Sequence, residues 1–206
     1  MAQYAAETEN TAYTAPAVAN PSPLGLSAFA LTTFVLSSIN AGWFPAGATN
    51  VVIGLAIFYG GAAQFLAGMW EFRTGNTFGA TAFTSFGAFW LSFGAIFIPG
   101  FNVAGALTTA GALHQALGIY LLAWAIFTAI LFVGTLKSNI ALIALFALLT
   151  LTFLCLAIGE LAGSTAFHTL GGYLGVITAL VAWYTALAGL LSSSRAIISL
   201  PVGPIS

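Results

Sequence analysis

Charged side chains are almost missing from this sequence: three Lys+Arg and four Asp+Glu in 206 residues, or 3% of the chain, against roughly 25% in a soluble domain. That scarcity excludes water as the solvent of most of the chain. It excludes nucleic acid as a partner too, because three basic residues and a net charge of −1 provide no counterion-releasing surface, and it leaves no polybasic patch for peripheral binding to anionic lipid. Cysteine is equally sparse. The single Cys155 has no internal disulfide partner, and beside it stand only His114 and His168, without metal-ligand spacing. Cys155 is therefore expected to be an inert apolar filler. Titratable groups are too few and too scattered to assemble a nucleophile, a base and an orienting group, so neither an enzyme nor a cofactor is expected.

What is present is apolar length. Residues 10–70 and 74–136 contain no Asp, Glu, Lys or Arg, and 60% of the chain is hydrophobic. Such runs exceed any buried helix of a soluble core and imply several membrane spans, each of about 20 residues across roughly 30 Å of hydrocarbon. Residues 1–20 lack both an apolar run and the basic start of a secretory signal, and are expected to form a disordered cytoplasmic tail. The remainder predicts six spans at about 23–44, 51–70, 78–98, 114–135, 138–159 and 169–192, within a transmembrane domain of residues 21–195 followed by a cytoplasmic tail, 196–206. Ser22 is expected to cap the first span with Pro23 at its first helical position. These runs are about twice the length of a barrel strand and lack two-residue alternation. The fold class is therefore an all-α polytopic membrane protein. Arg73, Lys137 and Arg195 then share one side, which the positive-inside rule makes cytoplasmic, together with both termini.

Polarity within the spans is mostly neutral. The hydroxyls of Thr32, Thr33, Ser37, Ser38, Thr77, Thr81, Thr84 and Ser85 are expected to return to carbonyls of their own helices. Asn40 and Gln64 carry primary amides with more groups to satisfy, so each faces either a pathway or an interhelical hydrogen bond. Glu71 and Arg73 read as interfacial charges that snorkel. Glu160 reads as a solvated loop carboxylate, and His114 and His168 as solvated loop histidines on the opposite face, with pH sensing as the alternative. Trp43 and Trp70 stand near span ends as interfacial anchors. Glycines seven apart (Gly61 and Gly68, Gly87 and Gly94) and small-xxx-small pairs such as Gly171/Gly175 provide faces for close helix packing. A neutral polar path with aromatic narrowings suits a small solute better than a metal ion.

Two ordered motifs carry a family resemblance. Asn20-Pro21-Ser22-Pro23-Leu24-Gly25-Leu26 is similar to the Asn-Pro-x-Pro-Leu-Gly-Leu signature of the acetate uptake transporters, also called the succinate-acetate permease family. The second block is longer: Tyr59-Gly60-Gly61, Gln64, Ala67-Gly68, Glu71, Gly75-Asn76-Thr77-Phe78-Gly79, Thr81-Ala82-Phe83, Ser85-Phe86-Gly87 and Phe89-Trp90. The resemblance implies a six-helix protomer with cytoplasmic termini in the plasma membrane, assembled as a homo-hexamer in which each protomer carries acetate and related short carboxylates, succinate among the candidates. It further implies a hydrophobic constriction at Phe29, Phe86 and Leu149, with Phe86 standing where the family usually has Tyr. Ala182 resembles a position that influences substrate size, and Asn20, Pro21, Pro23, Leu24 and Gly25 form the entrance motif.

Acetate, as a carboxylate, is almost wholly anionic at neutral pH, so a pathway needs donors for the carboxylate and an apolar wall for the methyl. Asn40, Tyr59, Gln64, Asn76 and Thr81 are the candidate polar contacts, aided by free N–H groups at the start of the first helix. Both proton coupling and passive flow stay open. So do two rival readings, a channel for a neutral solute such as urea, ammonia or water, and a membrane sensor or scaffold.

Overall fold

The computed structural model describes residues 18–194 and 198–205. Six helices are long and apolar enough to cross a membrane: α1 (Ser22–Asn40), α2 (Ala46–Thr74), α3 (Thr77–Phe97), α4 (Ala112–Thr135), α5 (Ile140–Ala162) and α6 (Thr165–Ser193). The disordered tail expected over residues 1–17, and Arg195 with its expected cytoplasmic side, lie outside the described residues.

Local chemistry explains most helix ends. Pro21, not Ser22, caps α1, and the Asn20 side chain accepts the Ser22 N–H at 3.0 Å; Asn20 reaches this donor because Pro21 holds the chain in a tight turn. Asn139 accepts the Leu142 N–H at 2.9 Å at the start of α5, and Asn76 accepts the Gly79 N–H at 3.0 Å at the start of α3. Gly75 (φ +79°) and Gly163 (φ +60°) end α2 and α5 in left-handed geometry, which glycine adopts without steric penalty. The first span stops at Asn40 and the chain reverses at Gly42, so Trp43 and Phe44 belong to the connection; Trp43 stacks edge-on with Tyr173 of α6 at 6.1 Å.

α2 is not a uniform helix. Residues Phe58–Ala63 widen into a π-helical segment, a departure that recurs at functional sites. Gly60 and Gly61 lie in it, and a Cβ on Gly60 would come within 2.6 Å of the Thr32 hydroxyl of α1. Immediately after this segment α2 and α3 interlock through glycine. A Cβ on Gly68 would meet the Thr84 backbone nitrogen at 2.4 Å, and one on Gly87 would meet the Phe65 backbone nitrogen at 2.7 Å.

α1 packs against α6, α6 against α5 and α5 against α4, while α2 and α3 pair on the other side of α1. Aromatic rings fill the space between α3, α4 and α5: Phe86 lies 6.0 Å from both Trp124 and Phe127 and stacks on Phe153 at 6.4 Å. The α1/α6 contact is the tightest, because a Cβ on Gly172 would stand 2.2 Å from the Ala41 backbone nitrogen. Backbone cannot retreat as a side-chain tip does. Gly172→Ala is therefore expected to lower stability by about 1–3 kcal/mol, read as a lower melting temperature of the detergent-solubilised protein; an unchanged melt would mean that the two helices separate freely at this point.

The C-terminal segment returns to the bundle. Gly203 and Val202 carbonyls accept the N–H groups of Ile140 and Ala141 at 2.9 and 3.1 Å, satisfying donors that a helix start leaves unpaired. The Tyr184 hydroxyl donates to the Pro201 carbonyl at 2.6 Å. Residues 198–205 thus lie against α5 and α6, not as a free tail.

Candidate functional site

Most hydroxyls in the spans bond within their own helix: Thr32 donates to the Ala28 carbonyl at 2.9 Å, Ser38 to Phe34 at 2.7 Å and Thr152 to Leu148 at 2.8 Å. The protons of these hydroxyls are taken by their own backbone, whereas a few other polar atoms are left over. Buried and without a partner are Thr33 Oγ1, Gln64 Oε1, Thr84 Oγ1 and Trp90 Nε1. Such orphans are uncommon in native folds, and Thr33, Gln64 and Trp90 each line a cavity.

The first cavity, of about 300 Å³, runs between α1, α2, α3, α5 and α6. Pro23, Gln64 and Asn76 border it on one side and Asn139 on another, and Leu200 and Val202 of the C-terminal segment also line it. The second, also about 300 Å³, is bordered by Thr33, Ser37, Asn40, Trp90, Thr152 and Phe153. Phe29 and Leu149 belong to the walls of both. Phe86 lines the first only, its ring 5.8 Å from that of Phe29. All three are buried. A third, more open cavity of about 600 Å³ shares His114, Glu160 and His168 with the second.

Other residues singled out from the sequence divide. Gln64, 1% exposed, faces the first cavity and Asn40 the second. Asn76 borders the first cavity, but its amide is already engaged: Nδ2 donates to Glu71 Oε2 at 2.9 Å while Oδ1 caps α3. Thr81 is exposed, donates to its own helix at Thr77 at 2.9 Å, and lines neither of the two cavities. Tyr59, half-buried on the π segment, borders neither as well, and Ala182 is enclosed in the core. Within the entrance motif, Pro23 reaches the cavity, Gly25 lies against the Phe83 ring, Pro21 is buried, and Asn20 and Leu24 are exposed.

Two readings of charge require correction. Glu71 does not snorkel: it is 1% exposed and accepts hydrogen bonds from the hydroxyls of Ser22 and Thr74 as well as from Asn76. It ties the entrance motif to the α2–α3 turn. Glu160 is no solvated loop group. Its side chain is 12% exposed, with His114 Nδ1 2.7 Å from one carboxylate oxygen and His168 Nε2 3.3 Å from the other. Three helix ends meet there, separated along the chain by too many residues for any local pattern to reveal.

The GPR1/FUN34/yaaH family profile matches residues 3–206. The chain belongs to this family. Its relatives in the GPR1/FUN34/yaaH family include ammonia transport outward protein 2 of Saccharomyces cerevisiae, 53% identical over 87% of this chain and 64% of that protein. The chain thus spans less than two thirds of the yeast relative's length. The succinate-acetate/proton symporter SatP of Escherichia coli is 41% identical, with 90% of this chain and 96% of that one covered. The structure of the bacterial acetate channel SatP superposes with a TM-score of 0.78 at 40% identity, covering 91% of this chain and all (100%) of that one. The resemblance carried by the Asn20–Leu26 and Tyr59–Trp90 motifs is therefore a family relationship, and the chain is an all-helical, multi-pass membrane protein.

Proposed function

We propose that this chain carries acetate and related short carboxylates across the plasma membrane through a channel-like pathway inside each protomer. One observation carries the reading: Phe29 and Leu149 stand in the walls of two cavities at once, so a solute moving between them passes these apolar side chains and Phe86. The constriction accepts the methyl of acetate. Gln64 on one side and Thr33 and Asn40 on the other offer neutral polar contacts to the carboxylate, and among the described residues no lysine or arginine lines either cavity to hold the anion too tightly for release. The names of the E. coli symporter and the bacterial channel support the substrate class.

Orientation follows from Arg73 at the end of α2 and Lys137 before α5, which share one side of a six-span chain and make that side, with both termini, cytoplasmic. Residues 1–20 are then a cytoplasmic tail of a six-helix transport domain, and residues 196–206 a C-terminal segment on the same cytoplasmic side, with 198–205 held against α5 and α6. A homo-hexamer in the lipid bilayer, with one pathway per protomer, is part of the same proposal and rests on the family resemblance.

Purified protein in liposomes should take up labelled acetate with saturation and inhibition by propionate. No uptake above empty vesicles at pH 5 and pH 7 overturns the proposal. The yeast relative's name motivates a second reading, ammonia passage through the same neutral walls. A pore of that kind would carry ammonia at a rate insensitive to acetate and propionate.

A further inference from the structure

The mouth of the second cavity holds a concentration of ionisable groups found nowhere else among the described residues. His114 lies in the first turn of α4, Glu160 in the last turns of α5 and His168 in the first turn of α6. All three border both the second cavity and the open third one. A solute passing between those cavities moves alongside them. His114 is 71% exposed and His168 36%, so both exchange protons with solution, while Glu160 is 12% exposed between them.

Among the described residues nothing else bordering the cluster carries charge. The polar groups bordering the open cavity are Gln115, Ser164, Thr165 and Thr169, all neutral. Glu71 and Arg73 sit at the far end of α2, and Lys137 precedes α5, about 30 Å from Glu160 along a helix rising 1.5 Å per residue. Among the described residues, the charge at this mouth is therefore set by these three side chains. With neutral imidazoles and an ionised Glu160 it is negative; with both imidazoles protonated it is positive. The N-terminal ends of α4 and α6 add their own positive partial charge.

We propose that His114, His168 and Glu160 form a carboxylate-docking site at the outer mouth of the pathway, open to anions in its protonated form and closed to them by Glu160 in its deprotonated form. This rests on the reading of the chain as a carboxylate carrier. In the protonated form each imidazolium has two N–H donors, so beside the one facing Glu160 a second is left for an incoming acetate. In the deprotonated form each neutral imidazole has a single N–H, which Glu160 takes, and the Glu160 carboxylate repels a second one. The switch is probed by comparing uptake at pH 5.5 with uptake at pH 7.5.

The experiment uses proteoliposomes with the same pH on both faces and labelled acetate below saturation. Uptake into protein-free vesicles is subtracted, and rates are divided by the acetate anion concentration. The wild-type rate should be roughly tenfold higher at pH 5.5 than at pH 7.5, the low end of what a charged cleft contributes. Glu160→Gln preserves the shape and should raise the pH 7.5 rate toward the acidic one. The pair His114→Gln/His168→Gln should lower the pH 5.5 rate and bring the ratio close to one, with the exposed His114→Gln alone giving part of that change. A wild-type ratio near one, or a tenfold ratio retained in all these variants, overturns the docking site and leaves acetate transport standing. No protein-dependent uptake at either pH overturns both.

Discussion

Leu149→Ala is expected to join the two cavities and let larger carboxylates through. Leu149 and Phe29 are walls common to both spaces, and each is almost completely buried (3% and 4% exposed). Replacing the isobutyl side chain by a methyl therefore opens the partition and not the outside of the bundle. A pocket that gains or loses one methylene changes discrimination by roughly 10–200-fold. Butyrate uptake relative to acetate should rise by about an order of magnitude, measured as competition against labelled acetate. Phe29→Ala removes more of the wall and should add a leak of unrelated small solutes. Some stability is lost in each case, about 2–5 kcal/mol for a buried large-to-alanine change, so melting temperatures belong beside the uptake data. Unaltered selectivity in both folded variants would remove Phe29 and Leu149 from the pathway.

Glu71→Ala is expected to be the most damaging single change outside the cavities. An ionised carboxylate only accepts hydrogen bonds, and here it faces three donors, the Ser22 and Thr74 hydroxyls and the Asn76 amide. Those donors come from α1, α2 and the turn into α3, so one side chain joins three elements beside the cavity that Pro23 lines. Truncation leaves the Ser22 hydroxyl and the Asn76 amide without this acceptor at about 1 kcal/mol or more each, while Thr74 keeps its bond to the Glu71 backbone carbonyl at 2.9 Å, giving roughly 2 kcal/mol in all. Glu71→Gln is the sharper probe. It keeps the volume but turns one acceptor into a donor aimed at donors, and about half of that loss should remain. Both variants are checked by melting in detergent, and a melt within a degree of wild type would show that the carboxylate holds nothing together.

The membrane-embedded class and the number of spans were legible because they depend on composition and length alone. A helix rising 1.5 Å per residue needs about 20 apolar residues to cross the bilayer wherever they pack, and Gly75, Pro99 and Gly163 mark the interruptions. Fine boundaries were less legible. The first span ends four residues short of its expected limit, at Asn40, because glycine at position 42 permits a reversal that the downstream Pro45 only follows. Among the site residues, Phe29, Phe86, Leu149 and Gln64 were reached through motifs, and the structure brings them to one cavity. Thr81 failed for a reason the sequence half contained: a threonine hydroxyl on a helix has a carbonyl four residues back, and Thr81 uses it.

Scarcity of charge together with apolar length determined that this chain lives in lipid, that it has six spans, and that their interior holds mainly neutral groups. Solvent preference is a property of residues summed along the chain, so no fold was needed to read it. Tertiary structure alone decided what the few charges do. Glu71 meets Ser22 across 49 positions and Glu160 meets His114 across 46, distances over which no helical period operates. The partition at Phe29 and Leu149 likewise exists only once α1 and α5 flank a common space, because a cavity wall is a relation between helices and is written in neither one.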